Sequence, residues 1–218
     1  MKASKIIIFS LVALLAIILM PGCSEHVDNL DSYDYTKVKT GDILLSDNNI
    51  ISTDKYTSGD KAIGVVMLVK SDSVWVVSTK ELGEKAYLDT LMTVSNVSSS
   101  VTALDGKENT AALFNSGRES DAATATASFG SPVYGWYLPS VGELRVLAMN
   151  LKIVEQTMEK IGGDKFKTTQ YLSSTQDGSS SDTERFYAYC ITLQSGNVSS
   201  MLKTEAGEVR PVLRMKMQ

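Results

Sequence analysis

GWYLPSVGEL, residues 135–144, is the stretch on which the fold turns. Tyr134 to Leu138 is apolar and aromatic, as a strand would be, and Pro139 ends it because proline has no N–H to give a ladder. Ser140 then stands three residues before Glu143, the spacing of a capping box. The serine oxygen accepts from the glutamate's backbone N–H while the carboxylate reaches back to the serine N–H. Val141, Leu144, Leu147 and Ala148 follow on one helical face. A second periodic run, Leu151, Val154, Met158 and Ile161, stops at Gly162-Gly163. The decapeptide predicts a strand-to-helix elbow in which Glu143 is a helix cap before it is an active-site acid.

Strands flank this helical centre. GDILLS and NNIIST predict a hairpin about Asp47-Asn48-Asn49, and Ile63–Val69 with Val74–Val77 predict a second one through Lys70 to Ser73. DGKENTAALFNSG reads as a short helix with Asn109 at its N-cap and Gly117 as its stop, and Ser120 caps another through Ala122 to Ala127. After the helices come YLSST, ERFYAYCITL, SSMLKT and EVRPVLRM, separated by turn material at 177–182, 195–197 and 205–207. Strands, then paired helices, then strands make an α+β domain with an antiparallel sheet.

The N-terminus sets an address. MKASKIIIFSLVALLAIILMPGC carries two lysines, an apolar run from Ile6 to Met20, and Pro-Gly-Cys. The run is short of the roughly 20 residues of a membrane-spanning helix and has the length of a signal-peptide core. The segment resembles a bacterial lipoprotein signal, which implies removal of residues 1–22 and acylation of Cys23; a plain secretory signal or a short anchor are the alternatives. Residues 23–37 are polar and acidic and read as a tether, leaving 38–218 as one domain. The expected location is the outer membrane or cell surface, with the membrane reached through lipid. Cys190, the other of two cysteines, would then have no disulfide partner, and its setting is that of a small buried hydrophobe.

The chain of 218 residues has 21 Lys+Arg against 25 Asp+Glu. With no basic run beyond Lys5, that balance argues against a nucleic-acid partner. Its single histidine, His26, lies beside the acylation position, so a histidine-assisted nucleophile inside the domain is excluded. Metalloprotease, phosphate-loop and nucleophile-elbow motifs are missing. The two Ser-x-x-Lys matches, Ser58/Lys61 and Ser200/Lys203, lack the helix start that such chemistry needs. A pair of carboxylates acting as a hydrolase is not recognisable from spacing. No cofactor, metal or catalytic residue is expected.

Four ordered motifs, GKENT (106–110), GWYLPSVGEL, YLSSTQ (171–176) and VRPV (209–212), carry a resemblance. Together they resemble a lipoprotein-associated domain family of unknown function that shares the C-type-lectin-like fold, with formylglycine-generating enzymes as distant relatives. The resemblance implies that fold over roughly 41–215. It does not bring the relatives' activity, which uses paired cysteines, or the calcium-ligand signatures of lectins, which are missing. Leu172 and Gln176 stand where the family often has Trp and Glu. A surface-recognition role remains, with a glycan or a surface protein as partner. Gln176, at the start of a polar loop reaching Glu184, and Arg185, Tyr187 and Tyr189, alternating onto one strand face, are the candidate contact residues. Core packing of the tyrosines is the blander alternative. A structural subunit of a surface or fimbria-like assembly is the rival function. Arg210 is expected to tie the last strand into the fold.

Overall fold

Runs of β-branched residues build the first of two five-stranded sheets. In the computed structural model, which describes residues 37–130, 135–178 and 186–217, the strands are β1 (Ile43–Leu45), β2 (Ile50–Ile51), β3 (Ala62–Lys70) and β4 (Ser73–Ser78). The last strand, β10 (Val212–Lys216), closes the sheet in the order β10-β4-β3-β1-β2, every pair antiparallel. Both expected hairpins form. Asn48 takes the left-handed conformation at the first, and the Asp47 side chain receives the Asn49 N–H at 3.0 Å. All six residues of β4 are buried, because the sheet is covered on both faces.

The second sheet has the order β5-β9-β6-β7-β8, with β5 (Glu84–Ala86), β6 (Gln170–Gln176), β7 (Tyr187–Thr192), β8 (Asn197–Leu202) and β9 (Ala206–Glu208). One contact in it is parallel, Tyr171 beside Glu208, so this sheet is mixed where an antiparallel one was expected. Ala206 and Gly207 also belong to β9, not to a turn. Pairing with Lys85 and Ala86 overrides their weak strand propensity.

Four helices fill the space around the sheets: α1 (Gly106–Phe114), α2 (Asp121–Ala127), α3 (Val141–Met149) and α4 (Leu151–Ile161). Leu144, Leu147, Leu151, Val154 and Met158 meet Val65, Trp75 and Val77 of the first sheet and Tyr171 and Ile191 of the second in one core. On the other face of the second sheet, Leu172, Ala188 and Cys190 pack with Leu113, Ala122 and Ala123 of α1 and α2. Adjacent residues of β6 and β7 therefore enter different cores, as a period of two requires. Cys190 is a buried, free thiol, and Ser120 caps α2 by accepting from Ala123 N–H. Gly162, left-handed at φ 70°, ends α4.

Two local expectations change. Asp105, not Asn109, occupies the N-cap position of α1. Asn109 sits one turn inside, buried, where it donates to Asp105 Oδ1 and accepts the Ser98 N–H, both at 2.9 Å. Of the strand expected through Leu138, only a bridge from Tyr137 to Val212 forms, and Tyr134 lies outside the described residues.

Arg210 ties the approach to the last strand into the fold, as expected from the VRPV motif, through the end of β4 and the chain after α4. It is 1% exposed and stacks on Phe166 with its guanidinium carbon 4.3 Å from the ring centroid. Its Nε donates to Ser78 O at 2.8 Å, Nη1 to Glu81 Oε1 at 2.7 Å and Nη2 to Asp164 O at 2.9 Å. Truncation takes the guanidinium from the Glu81 carboxylate, which keeps only the Tyr171 hydroxyl at 2.6 Å, and removes this donor from two carbonyls. Arg210→Ala is expected to lower unfolding free energy by about 3–5 kcal/mol in urea titrations. A loss under about 1 kcal/mol, the size of an exposed pair, would contradict this role.

Candidate functional site

The elbow encloses a carboxylate. Ser140 Oγ accepts the Glu143 N–H at 3.2 Å and Glu143 Oε2 accepts the Ser140 N–H at 2.8 Å, completing the box. The other oxygen, Oε1, takes the Trp75 indole N–H from β4 and the Tyr137 hydroxyl, each at 2.9 Å. Glu143 is 0% exposed. Burial pushes its pKa up to about 7, against the pull of its three donors. Helices α1 and α3 cross so closely here that a Cβ on Gly106 would overlap Glu143 Oε2 and Ser140 N, and one on Gly142 would overlap Ala103 O. This carboxylate joins two helices to a sheet and offers no face to a substrate. Sequence spacing reveals its cap but not Trp75, which is 68 residues away.

A second polar junction lies where the contact loop was expected to begin. Gln176 is the last residue of β6, not loop, and is 5% exposed. Its Oε1 accepts from Val94 N–H at 2.8 Å and from Lys203 Nζ at 2.6 Å, while Nε2 donates to Val94 O at 2.8 Å. Lys203, 0% exposed, also donates to Met92 O at 2.6 Å and lies 5.6 Å from the Tyr87 ring centroid. Burial draws its pKa down to about 8, opposed by Asp177. The pair clamps residues 92–97 onto the sheet, so the Gln176 amide serves the interior. Lys203 escaped sequence reasoning because a lysine at a strand end reads as solvated.

Tyr187 and Tyr189 do share a face of β7, both half-buried, in line with buried Ile191. Across the ladder they meet Leu202 and Ser200 of β8. Ser200 Oγ donates to Asp177 Oδ2 at 2.5 Å, and Asp177 N–H donates to Tyr187 O at 3.0 Å. The start of the 177–186 connection is thereby tied to this tyrosine face. Arg185 lies outside the described residues, as do Cys23 and His26.

Hollows elsewhere are shallow. One of about 330 Å³ lies between α4 and Phe166, another of about 330 Å³ between α4 and residues 39–42, and a third of about 310 Å³ beside the β7–β8 turn. Their walls include neither Glu143 nor Gln176 nor Lys203. Among the described residues, no three His, Cys, Asp or Glu side chains are grouped to hold a metal ion. No family model and no curated protein matches the chain.

The raised pKa of Glu143 has a definite sign in stability. Its folded form holds the proton more tightly than the unfolded chain, whose value is 4.5, so its stabilising contribution is complete below pH 4.5 and lost as pH rises through about 7. The loss amounts to about 3 kcal/mol. Glu143→Gln is expected to remove that slope from urea midpoints measured between these limits; parallel pH profiles for variant and parent would contradict it. Gly106→Ala, which in an open helix would stabilise by roughly 0.5–1 kcal/mol, is expected here to destabilise by about 2 kcal/mol. A gain in melting temperature would show that the two helices do not meet so closely.

Proposed function

We propose that this chain is a lipid-anchored cell-envelope protein, exported by residues 1–22 and held at the outer membrane or cell surface by lipid on Cys23. Residues 23–37 are its tether, and 38–218 form a C-type-lectin-like domain that holds a glycan or another surface protein without converting it. One observation carries the recognition reading. The buried charged groups Glu143, Lys203 and Arg210 face inward onto protein partners, while Tyr187 and Tyr189 lie half-open on β7, next to Asp177. Tyrosine rings give contact area at small entropic cost, which suits a surface that binds. Two five-stranded sheets with four helices and a long irregular stretch between β5 and α1 accord with the fold that the sequence motifs imply. No helix among the described residues is long and apolar enough to cross a membrane.

The rival reading, a structural subunit of a surface or fimbria-like assembly, is favoured by one feature, the edge of β8, where no described strand pairs with Val198 and Ser200 on the side away from β7. A hydrolase using carboxylates alone finds no support in Glu143, which is sealed from solvent.

Glycan arrays and surface-protein pull-downs with the intact protein test the reading. Tyr187→Ala with Tyr189→Ala is expected to weaken any captured ligand by about tenfold or more; unchanged binding would remove this face from the function. Labelled palmitate is expected to mark the parent and not Cys23→Ser. Equal labelling of both would remove the proposed attachment point.

A further inference from the structure

An amine and a carboxamide sealed together out of water form a reactive pair as well as a hydrogen-bonded one. Lys203 Nζ lies 2.6 Å from Gln176 Oε1, with Lys203 0% and Gln176 5% exposed. The amide is fixed at both ends. Oε1 also accepts the Val94 N–H at 2.8 Å, while Nε2 donates to Val94 O at 2.8 Å and to Val97 O at 3.4 Å. On the other side, Met92 O steadies Nζ at 2.6 Å.

A C=O bond is about 1.23 Å long, so Nζ stands within about 3.8 Å of Gln176 Cδ. Reacting atoms in a near-attack pair are about 3–3.5 Å apart, a small side-chain torsion away. The surroundings favour that step. Val94 N–H occupies the place of an oxyanion-hole donor, on the oxygen where charge would build up. Burial draws the amine toward its neutral, nucleophilic form, and the Tyr87 ring beside it carries a hydroxyl whose proton burial holds tightly. Asp177, next along the chain from Gln176, is the carboxylate whose charge is felt at Nζ. Water, the competing nucleophile, is shut out.

We propose that Lys203 and Gln176 join in an intramolecular isopeptide bond, fastening the end of β6 to the chain that follows β8. The lone pair of neutral Nζ attacks Cδ and forms the new N–C bond, and the Val94 N–H holds the tetrahedral oxygen. The bond from Cδ to Nε2 then breaks. The proton shed by Nζ passes through the Asp177 carboxylate to Nε2, which leaves as ammonia; nothing is oxidised or reduced. The product keeps one N–H, enough to hold Met92 O, and its oxygen keeps the Val94 N–H. Val94 O and Val97 O give up the amide donor, a cost set against a covalent cross-link. The ring so closed encloses residues 177–202, and with them the whole 177–186 connection. A disulfide does not serve this purpose among the described residues, where Cys190 is a free thiol. The bond requires neither a bound ligand nor the lipid anchor.

The test is peptide mapping by mass spectrometry of the full-length protein after denaturation, reduction and trypsin digestion. Trypsin cuts neither at an acylated lysine nor before Pro211. The parent is therefore expected to yield peptides 168–185 and 186–214 joined as one species, lighter by about 17 Da, one ammonia, than the two together. Free peptide 168–185 with cleavage after Lys203 in the parent would overturn the proposal. Lys203→Arg keeps a cation beside Gln176 but cannot lose its proton to become a nucleophile. It is expected to give unlinked peptides, with circular dichroism reporting its fold; a link that persisted there would overturn the proposal as well. Asp177→Asn is expected to lower the linked fraction in freshly made protein by about tenfold or more. Parental linkage in that variant would overturn the part given to Asp177.

Discussion

One buried carboxylate holds the architecture together. Glu143 closes the first turn of α3, takes the indole N–H of Trp75 from the first sheet, and takes the hydroxyl of Tyr137 from the segment bridged to β10. Removing a charge from water is costly, and three donors converging on it are what make the arrangement tolerable. Geometry around the carboxylate is correspondingly strict. Gly106 and Gly142 are the residues they are because α1, α3 and the 102–103 backbone pass within a side chain's thickness of one another. Loss of any donor leaves a buried charge, so the parts that supply donors have little freedom to move independently.

The same logic recurs at two further junctions. Arg210 joins the end of β4 and the chain after α4 to the last strands, and the Gln176–Lys203 pair joins residues 92–97 to the second sheet. Cys190 is free, and among the described residues the long-range joins are hydrogen bonds and ion pairs laid across apolar cores. Buried polar networks, when every group is matched, fix one arrangement among many of similar apolar burial. Their enclosure also bears on function. Groups that would be reactive in a cleft, a carboxyl with a pKa near 7 and an amine near 8, are here joints of the frame.

How much of this was legible in the chain follows from the range of each interaction. β3 and β4 announced themselves through valine runs, α3 through its capping box, and α4 through its apolar spacing and terminal glycine. All are set by residues within a few positions of each other. Asn109 was misplaced because its side chain answers to Ser98 as well as to its own helix. β9 was hidden because Ala-Gly-Glu becomes a strand only when neighbours on both sides pair with it. Gln176 and Lys203 looked like surface residues because their partners lie 82 and 27 residues away from Gln176. Tyr187 and Tyr189 were placed on one face correctly, by alternation alone.

If Glu143 is a sealed junction and not a reactive group, the hydrogens it holds must be among the last to reach solvent. Native-state hydrogen exchange of the Trp75 indole N–H and the Ser140 amide, followed by NMR, measures this directly. The expected result is exchange only through global unfolding, with the protection shown by the central strands β3 and β4. Exchange of either hydrogen by a local opening, well ahead of those strands, would mean that the carboxylate is accessible and would contradict the account.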